Sequence, residues 1–181
     1  MADTKKPVSE IQLAARYERI HDQLATLLKT GPKRTADPIA RMATISSLLH
    51  AKMPHFFWTG FYRLLEGHLV VGPYQGPLAC ALLPRGSGVC WQSIIDDATL
   101  IVPDVHAFAG HVACDAHSQS EIVVPVRDKF DQIVAVLDVD SDQPDSFREA
   151  DKIGLEKIVA LINDGELIDD NGVSSLNQPP E

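Results

Sequence analysis

Two β-branched runs near the C-terminal end constrain the fold of this chain most strongly. Residues 121–126 and 132–139 are rich in valine and isoleucine, and a charged turn at residues 128–131 separates them. Runs of this composition joined by a short polar turn are typical of an antiparallel β-hairpin. We therefore expect these residues to form two paired strands in the middle of a sheet-containing domain.

A second hairpin is predicted further towards the N-terminus. Residues 56–64 form an aromatic run, Glu66-Gly67 supplies turn residues, and residues 68–71 are again apolar. The Gly- and Pro-rich residues 72–77 are expected to break the sheet. A strand at 78–83, a short helix at 89–96, a strand at 99–102 and a long polar loop at 103–120 are predicted to follow.

Three longer helices are predicted from the spacing of apolar residues. The first spans residues 8–28, before Gly31-Pro32, and the second begins at Asp37-Pro38, where a capping residue precedes a proline. The last begins at Asp145 or Ser146 and runs to Ile162. The predicted fold class is α+β, an antiparallel sheet with flanking helices. Residues 8–164 are expected to form one domain, and residues 165–181 a mobile acidic tail.

Composition narrows the range of partners. The chain has 181 residues, 45% of them hydrophobic, and a formal net charge of -9. A polyanion would be repelled by this charge, so nucleic acid is not an expected partner. No run approaches the roughly 20 apolar residues that a membrane span requires, and no signal-peptide core is visible. We therefore expect no membrane association and a cytoplasmic protein.

The three cysteines lie in the central third of the chain. Cys90 follows Gly86-Ser87-Gly88 at a predicted helix start, where unpaired amides and the helix dipole lower a thiol pKa. Cys114 lies in a loop with three possible proton donors: His106, His111 and His117. Both thiols are candidate nucleophiles. Cys80 has no evident activator and is better suited to resolve a sulfenic acid or disulfide formed elsewhere.

Two other roles also fit these cysteines. Each could be a small buried hydrophobic residue, which is the commonest role of a free cysteine. Cysteine and histidine are also zinc ligands, but the chain has no Cys-x-x-Cys pair and the ligands would have to converge from three loops. We expect no resident metal.

A group of acidic residues is the second candidate for chemistry. Asp138 and Asp140 share one face of a predicted strand, because side chains alternate along a strand, and Glu121 begins the strand before it. Carboxylates in one cavity would bind an ammonium group, and one with a raised pKa could protonate an oxygen. Trp58 and Tyr62 share strand parity and could enclose a methyl group. A solvated strand end and ordinary core aromatics are the simpler alternatives.

With these segments together, the chain resembles the free methionine-(R)-sulfoxide reductases, which are built on a single GAF domain. The resemblance covers residues 11–162. It is carried by three motifs. The first two are Gly76-Pro-x-Ala-Cys80 and Gly86-x-Gly-Val-Cys90. The third spans residues 102–125 and contains Val102-Pro-Asp-Val-His106, Gly110-His-Val-Ala-Cys114-Asp and Ser118-x-Ser120-Glu121. Trp91, where relatives usually have glycine, and Ala109, where proline is common, depart from the family pattern.

The resemblance implies a mechanism. Cys114 would attack the sulfoxide sulfur, release methionine and become a sulfenic acid. Cys80 would resolve it as an intramolecular disulfide, and Cys90 would be a secondary or regenerating thiol. A thioredoxin-like dithiol would reduce the disulfide, with no bound cofactor.

The resemblance also implies a substrate site. Glu121, Asp138 and Asp140 would bind the ammonium of free methionine sulfoxide and help to protonate its oxygen, while Trp58 and Tyr62 would contain its S-methyl group. A homodimer formed through the N-terminal helix is a further expectation, since it is common among GAF proteins. A non-catalytic GAF sensor of a small molecule or of redox state is the alternative function.

Overall fold

The computed structural model describes residues 8–30, 34–110 and 115–163. The longer helices are α1 (Glu10–Ala25), α2 (Pro38–Lys52), α3 (Gly88–Asp96) and α4 (Glu149–Ala160). The strands are β1 (Trp58–Leu65), β2 (His68–Gln75), β3 (Leu82–Leu83), β4 (Leu100–Val102), β5 (Ser120–Arg127) and β6 (Ile133–Ser141). A π-helical turn (Thr26–Thr30) extends α1, and a 3-10 turn (Val105–Ala107) follows β4.

The strands form one antiparallel sheet in the order β3-β2-β1-β6-β5-β4. Both predicted hairpins are present as β1–β2 and β5–β6, and β6 pairs with β1 to join them at the centre. The two hairpins therefore place β1, β5 and β6 side by side, although β1 is more than 50 residues from β5 along the chain.

The two faces of the sheet bury different clusters. One face packs against α1, α2 and α4 in a largely apolar core that includes Phe61, Leu137 and Ile122. Packing is close enough that a Cβ on Gly154 of α4 would lie 2.2 Å from the ring of Tyr17 on α1. The other face packs against α3 and the loops around it. The prediction of an antiparallel sheet with flanking helices is confirmed.

Two buried polar groups tie the helical layer together. The Arg41 guanidinium of α2 donates to the carbonyl oxygens of Thr35, Leu28 and Leu161, which lie near the ends of three segments. Each of these carbonyls would otherwise lack a helical partner, so the arginine offsets the cost of burying them. The second group is Asp151, described below with the start of α4.

Strand β2 is longer than predicted. It continues through Gly72 and Pro73 to Gln75, so the prediction that residues 72–77 break the sheet was wrong. The ladder with β1 shifts register between Gly60 and Tyr62, and this irregularity accommodates a proline that cannot donate a ladder hydrogen bond. The strand predicted at 78–83 is reduced to Leu82–Leu83.

Helix α4 begins later than predicted. Asp145 has a left-handed backbone (φ 53°) and the Ser146 hydroxyl donates to the Gln143 carbonyl, so neither residue caps the helix. Its N-cap is Arg148, whose backbone N–H donates to the Asp151 carboxylate at 2.8 Å. The same carboxylate accepts a 2.7 Å hydrogen bond from the Tyr17 hydroxyl of α1. Asp151 therefore joins the start of α4 to α1.

The predicted tail at residues 165–181 lies outside the described residues. In the described part of the chain, none of the helices has both the length and the apolar character needed to cross a membrane.

Candidate active site

Three carboxyl groups meet on the sheet face that packs against α3. Glu121 of β5 is paired directly opposite Asp140 of β6, and Asp138, two residues earlier, shares their face. Asp138 lies opposite Gly60 of β1, and Asp140 lies opposite Trp58. The sheet register therefore gathers acids from two strands beside an aromatic residue from a third.

Gly60 makes room for this arrangement. A Cβ at this position would lie 2.4 Å from the Trp58 indole and 2.3 Å from the Tyr74 Cβ. The indole therefore lies against the sheet over Gly60, stacked between Tyr62 and Tyr74 with ring centroids 5.9 and 5.3 Å away. An apolar aromatic wall is thereby fixed next to Asp138.

The polar ends of the two aromatic residues hold the loop that contains Cys80. The Trp58 Nε1 donates to the Pro77 carbonyl at 3.2 Å, and the Tyr62 hydroxyl donates to the Cys80 carbonyl at 3.1 Å. Cys80 is disulfide-bonded. The aromatic wall and the loop that contains Cys80 are therefore one connected unit.

These side chains enclose a cavity of about 50 Å³. Besides the acids, aromatics and Cys90, its lining includes Asp115, Ser118 and the start of α3 at Ser87, Gly88 and Val89. Among the described lining residues there is no lysine or arginine. The cavity is thus acidic, partly apolar and suited to a small cationic group.

Burial dominates the electrostatics of the acids. Loss of solvation raises the pKa of Asp138 to about 6, although hydrogen bonds from Glu121 and Cys90 favour its charged form. The pKa of Glu121 is raised well above its usual value by burial and then by the Asp138 and Asp140 charges. Of this pair, Asp138 is therefore favoured as the ionised acceptor and Glu121 as the protonated donor.

Asp140 is held by a residue that sequence reasoning had not assigned to the site. Burial, and then the Asp138 charge, raise the pKa of Asp140, while a hydrogen bond from the buried Ser118 hydroxyl opposes the shift. Ser118 precedes β5 by two residues and lines the cavity. The position of Ser118 in the third family motif was the signal that could have identified it as a site residue.

Cys90 occupies the third position of α3, as the sequence predicted. Its chemical state differs from the prediction. The thiol is 3% exposed, and burial followed by the Asp138 and Glu121 charges raises its pKa well above the usual value. The argument that the helix start would activate Cys90 was therefore wrong, because desolvation and nearby acids outweigh the helix dipole.

The histidines of the long loop do not join the described site. His106 and His117 are exposed, and neither lines the cavity. His117 instead contacts Asp115 through a 2.7 Å hydrogen bond, and hydrogen bonds from its backbone and ring lower the pKa of that carboxyl. The expectation that these two histidines act as proton donors to the Cys114 thiol stays a prediction. His111 and Cys114 lie outside the described residues.

Comparison with known proteins identifies the family. Free methionine-R-sulfoxide reductase from Escherichia coli is 43% identical over 124 residues, which cover 68% of this chain and 74% of that protein. The chain belongs to the free methionine-R-sulfoxide reductase family. The crystal structure of the Neisseria meningitidis free methionine-R-sulfoxide reductase in complex with its substrate is 31% identical, with a TM-score of 0.74, covering 91% of this chain and 95% of that one.

The reductase is an oxidoreductase with the GAF fold. A solved GAF domain matches it with a TM-score of 0.73 and 30% identity, over 89% of this chain and 98% of that one. No family model matches the chain. Both the family and the fold predicted from the sequence motifs are confirmed.

Most of the residues predicted for the reductase site come together in the structure. Trp58, Tyr62, Cys90 and the three acids line one cavity, and Cys80 contributes its backbone to the aromatic wall. Asp115, which follows Cys114 directly in the sequence, also lines the cavity. The roles of the individual residues remain predictions.

Proposed function

We propose that this chain reduces the R epimer of free methionine sulfoxide to methionine, using Cys114 as nucleophile and Cys80 as resolving thiol. The observation that carries the proposal is the meeting of two buried carboxyl groups, Glu121 and Asp138, and the half-buried Asp140 with two aromatic rings in one cavity. The family membership and the Neisseria meningitidis substrate complex support the same substrate.

The cavity suits both the α-ammonium and the S-methyl group of free methionine sulfoxide. Its acids would bind the α-ammonium, with the ionised Asp138 as principal partner. The stacked Trp58 and Tyr62 rings offer an apolar surface for the S-methyl group. A methionine within a peptide has no α-ammonium, so selectivity for the free amino acid follows from the charge of the site.

The proposed chemistry is a balanced two-electron reduction. The Cys114 thiolate attacks the sulfoxide sulfur, the S–O bond breaks, and methionine leaves as the thioether while Cys114 becomes a sulfenic acid. The Cys80 thiol then attacks the Cys114 sulfur, forming a disulfide and releasing water. Cys80 is well placed for this role because the Tyr62 hydroxyl holds its backbone at the cavity.

The sulfoxide oxygen must be protonated as it leaves sulfur. Glu121 is suited to supply this proton, because burial and neighbouring negative charge raise its pKa and favour its protonated form. Asp138 would then hold the ammonium while Glu121 acts at the oxygen. Asp140, which accepts a hydrogen bond from Ser118, lines the cavity beside these two acids.

A thioredoxin-like dithiol would return the disulfide to two thiols. Such a protein donates two electrons and two protons through a mixed disulfide, which restores Cys80 and Cys114 for the next turnover. Cys80 is only partly buried, so an incoming dithiol can reach this side of the bond.

The test is thioredoxin-coupled NADPH oxidation with the free R epimer, the free S epimer and a peptidyl sulfoxide. We expect turnover of the free R epimer alone, and loss of turnover in Cys114→Ser. A Cys80→Ser variant should still release one equivalent of methionine in a single turnover. Absence of turnover with every substrate would refute the proposal and favour a GAF sensor.

A further inference from the structure

We infer that the reduced protein binds Zn²⁺ at the Cys90 sulfur and the carboxylates of Glu121 and Asp138, and that the bound ion excludes the substrate ammonium. The binding site is independent of turnover, whereas its competition with substrate rests on the proposed function.

Three potential ligand atoms already lie close together. The Cys90 Sγ and one carboxylate oxygen each from Glu121 and Asp138 lie within 4.8 Å of one another, and all three residues are buried. They come from α3, β5 and β6, which are packed elements rather than loops. Such elements hold ligands more precisely than flexible segments do.

Asp138 provides an independent sign of an unfilled binding position. Its side chain is 7% exposed and lines the cavity, yet its Oδ1 has no hydrogen-bond partner among the described residues. A buried carboxylate oxygen without a partner is costly unless a hydrogen-bond donor or a cation completes its surroundings. Either a metal ion or a ligand ammonium would satisfy it.

The distances fit zinc after modest side-chain movement. Zn–S and Zn–O bonds of about 2.3 and 2.1 Å in a tetrahedral site place the ligand atoms roughly 3.3–3.7 Å apart. Because the ligand atoms already lie within 4.8 Å of one another, they need only modest shifts to reach that spacing. The three protein ligands leave a fourth position for water.

The donor set selects the type of ion. One thiolate with two carboxylates favours a borderline-soft ion such as Zn²⁺, whereas Mg²⁺ and Ca²⁺ prefer oxygen ligands alone. On binding, the Cys90 thiol and the Glu121 carboxyl, whose protonated form burial favours, both release their protons to solvent as the sulfur and the carboxylate oxygen form bonds to zinc. No electron is transferred, so the site is reversible and a chelator would empty it.

The binding experiment uses the reduced full-length chain with Cys80→Ser and Cys114→Ser, so that Cys90 is the remaining thiol. Calorimetric titration with Zn²⁺ should give one site. Co²⁺ used as a substitute should give a near-ultraviolet thiolate-to-cobalt charge-transfer band. Cys90→Ser in this background should abolish the band and weaken zinc binding at least about tenfold, the loss that even an outer-shell partner commonly causes.

Asp115→Asn is the matched control, because it removes a carboxylate that lines the same cavity but lies outside the ligand group. It should leave the band unchanged. The inference is overturned if the folded double variant shows no cobalt band, or if Cys90→Ser binds zinc as tightly as its parent. The cobalt band of the double variant tests metal binding by the Cys90 thiol even if the Cys90→Ser variant does not fold.

Added methionine should weaken zinc binding to the double variant. Equal zinc affinity with and without saturating methionine would overturn the competition. Absence of turnover in the reductase assay would not change the calorimetric result. The zinc site and the reductase activity can therefore be refuted independently.

Discussion

The Tyr62 hydroxyl donates a 3.1 Å hydrogen bond to the backbone carbonyl of Cys80. The same side chain stacks on Trp58 and lines the acidic cavity. The residue proposed to contain the substrate methyl group therefore also positions the resolving cysteine, which links substrate binding to disulfide formation.

Tyr62→Phe should slow disulfide formation more than methionine release. The ring and its stacking remain, so the first step should change little, while the Cys80 backbone loses a bond of about 1 kcal/mol. Single-turnover methionine release and dimedone trapping of the sulfenic acid would separate the steps. Tyr17→Phe, which loses a hydroxyl bond to Asp151 in the opposite core, is the control and should trap no additional sulfenate.

Asp138→Asn should stabilise the folded protein near neutral pH. The folded pKa of Asp138, about 6, exceeds the unfolded value of about 3.9. Stability from the protonated acid is therefore present below about pH 4 and lost as the pH rises through about 6. Urea unfolding should show a gain of about 1–3 kcal/mol for the variant at about pH 8 that vanishes near pH 4.

The same substitution should impair substrate binding. Loss of a charge-assisted bond worth about 1.5–3 kcal/mol predicts an increase in KM of about 10- to 150-fold. An unchanged KM together with the stability gain would show that Asp138 is not the ammonium partner.

Gly60→Ala should damage the site as well as the fold. Its Cβ would overlap the Trp58 indole and Tyr74, so overpacking should cost about 1–3 kcal/mol and displace the indole. Gly154→Ala is a matched control, because its Cβ would overlap Tyr17 on the opposite face. Both should unfold at lower urea, but the Gly60 variant alone should show a raised KM and an altered near-UV circular dichroism spectrum.

Cys90 should resist alkylation in the folded protein. Its thiol is buried and its pKa is raised, so little reactive thiolate reaches solvent. Mass spectrometry after a brief iodoacetamide treatment of the reduced protein should find Cys80 labelled well before Cys90, and both labelled in denaturant. Equal native labelling would contradict the burial of Cys90.

The hairpins and the three acids could be predicted because their signals are local. Alternation along β6 is enough to place Asp138 and Asp140 on one face, and the turn at residues 128–131 brings β5 alongside. The pairing of β1 with β6 depends on long-range packing, so the position of Trp58 opposite Asp140 was not available from periodicity.

The errors arose where tertiary context outweighed a local rule. A helix start lowers a thiol pKa in water, but the chain buries Cys90 against Asp138 and Glu121, which reverses the direction. A proline usually interrupts a strand, yet the register shift opposite Phe61 lets β2 continue past Pro73. The hydrogen bond that the Arg148 backbone N–H donates to the Asp151 carboxylate sets the start of α4, in place of the better capping residues nearby.

Pro73 also has a consequence for how this protein behaves at high concentration. The outer neighbour of β2 is the two-residue strand β3, which pairs only with Leu69 and Val70. Past that point, the Val71 N–H donates to the Ala81 carbonyl, Pro73 has no N–H to offer a second sheet, and the Pro73 carbonyl accepts from the Ser46 hydroxyl. The exposed edge is therefore a poor template for strand addition, which protects the open side of the sheet against fibrillar aggregation.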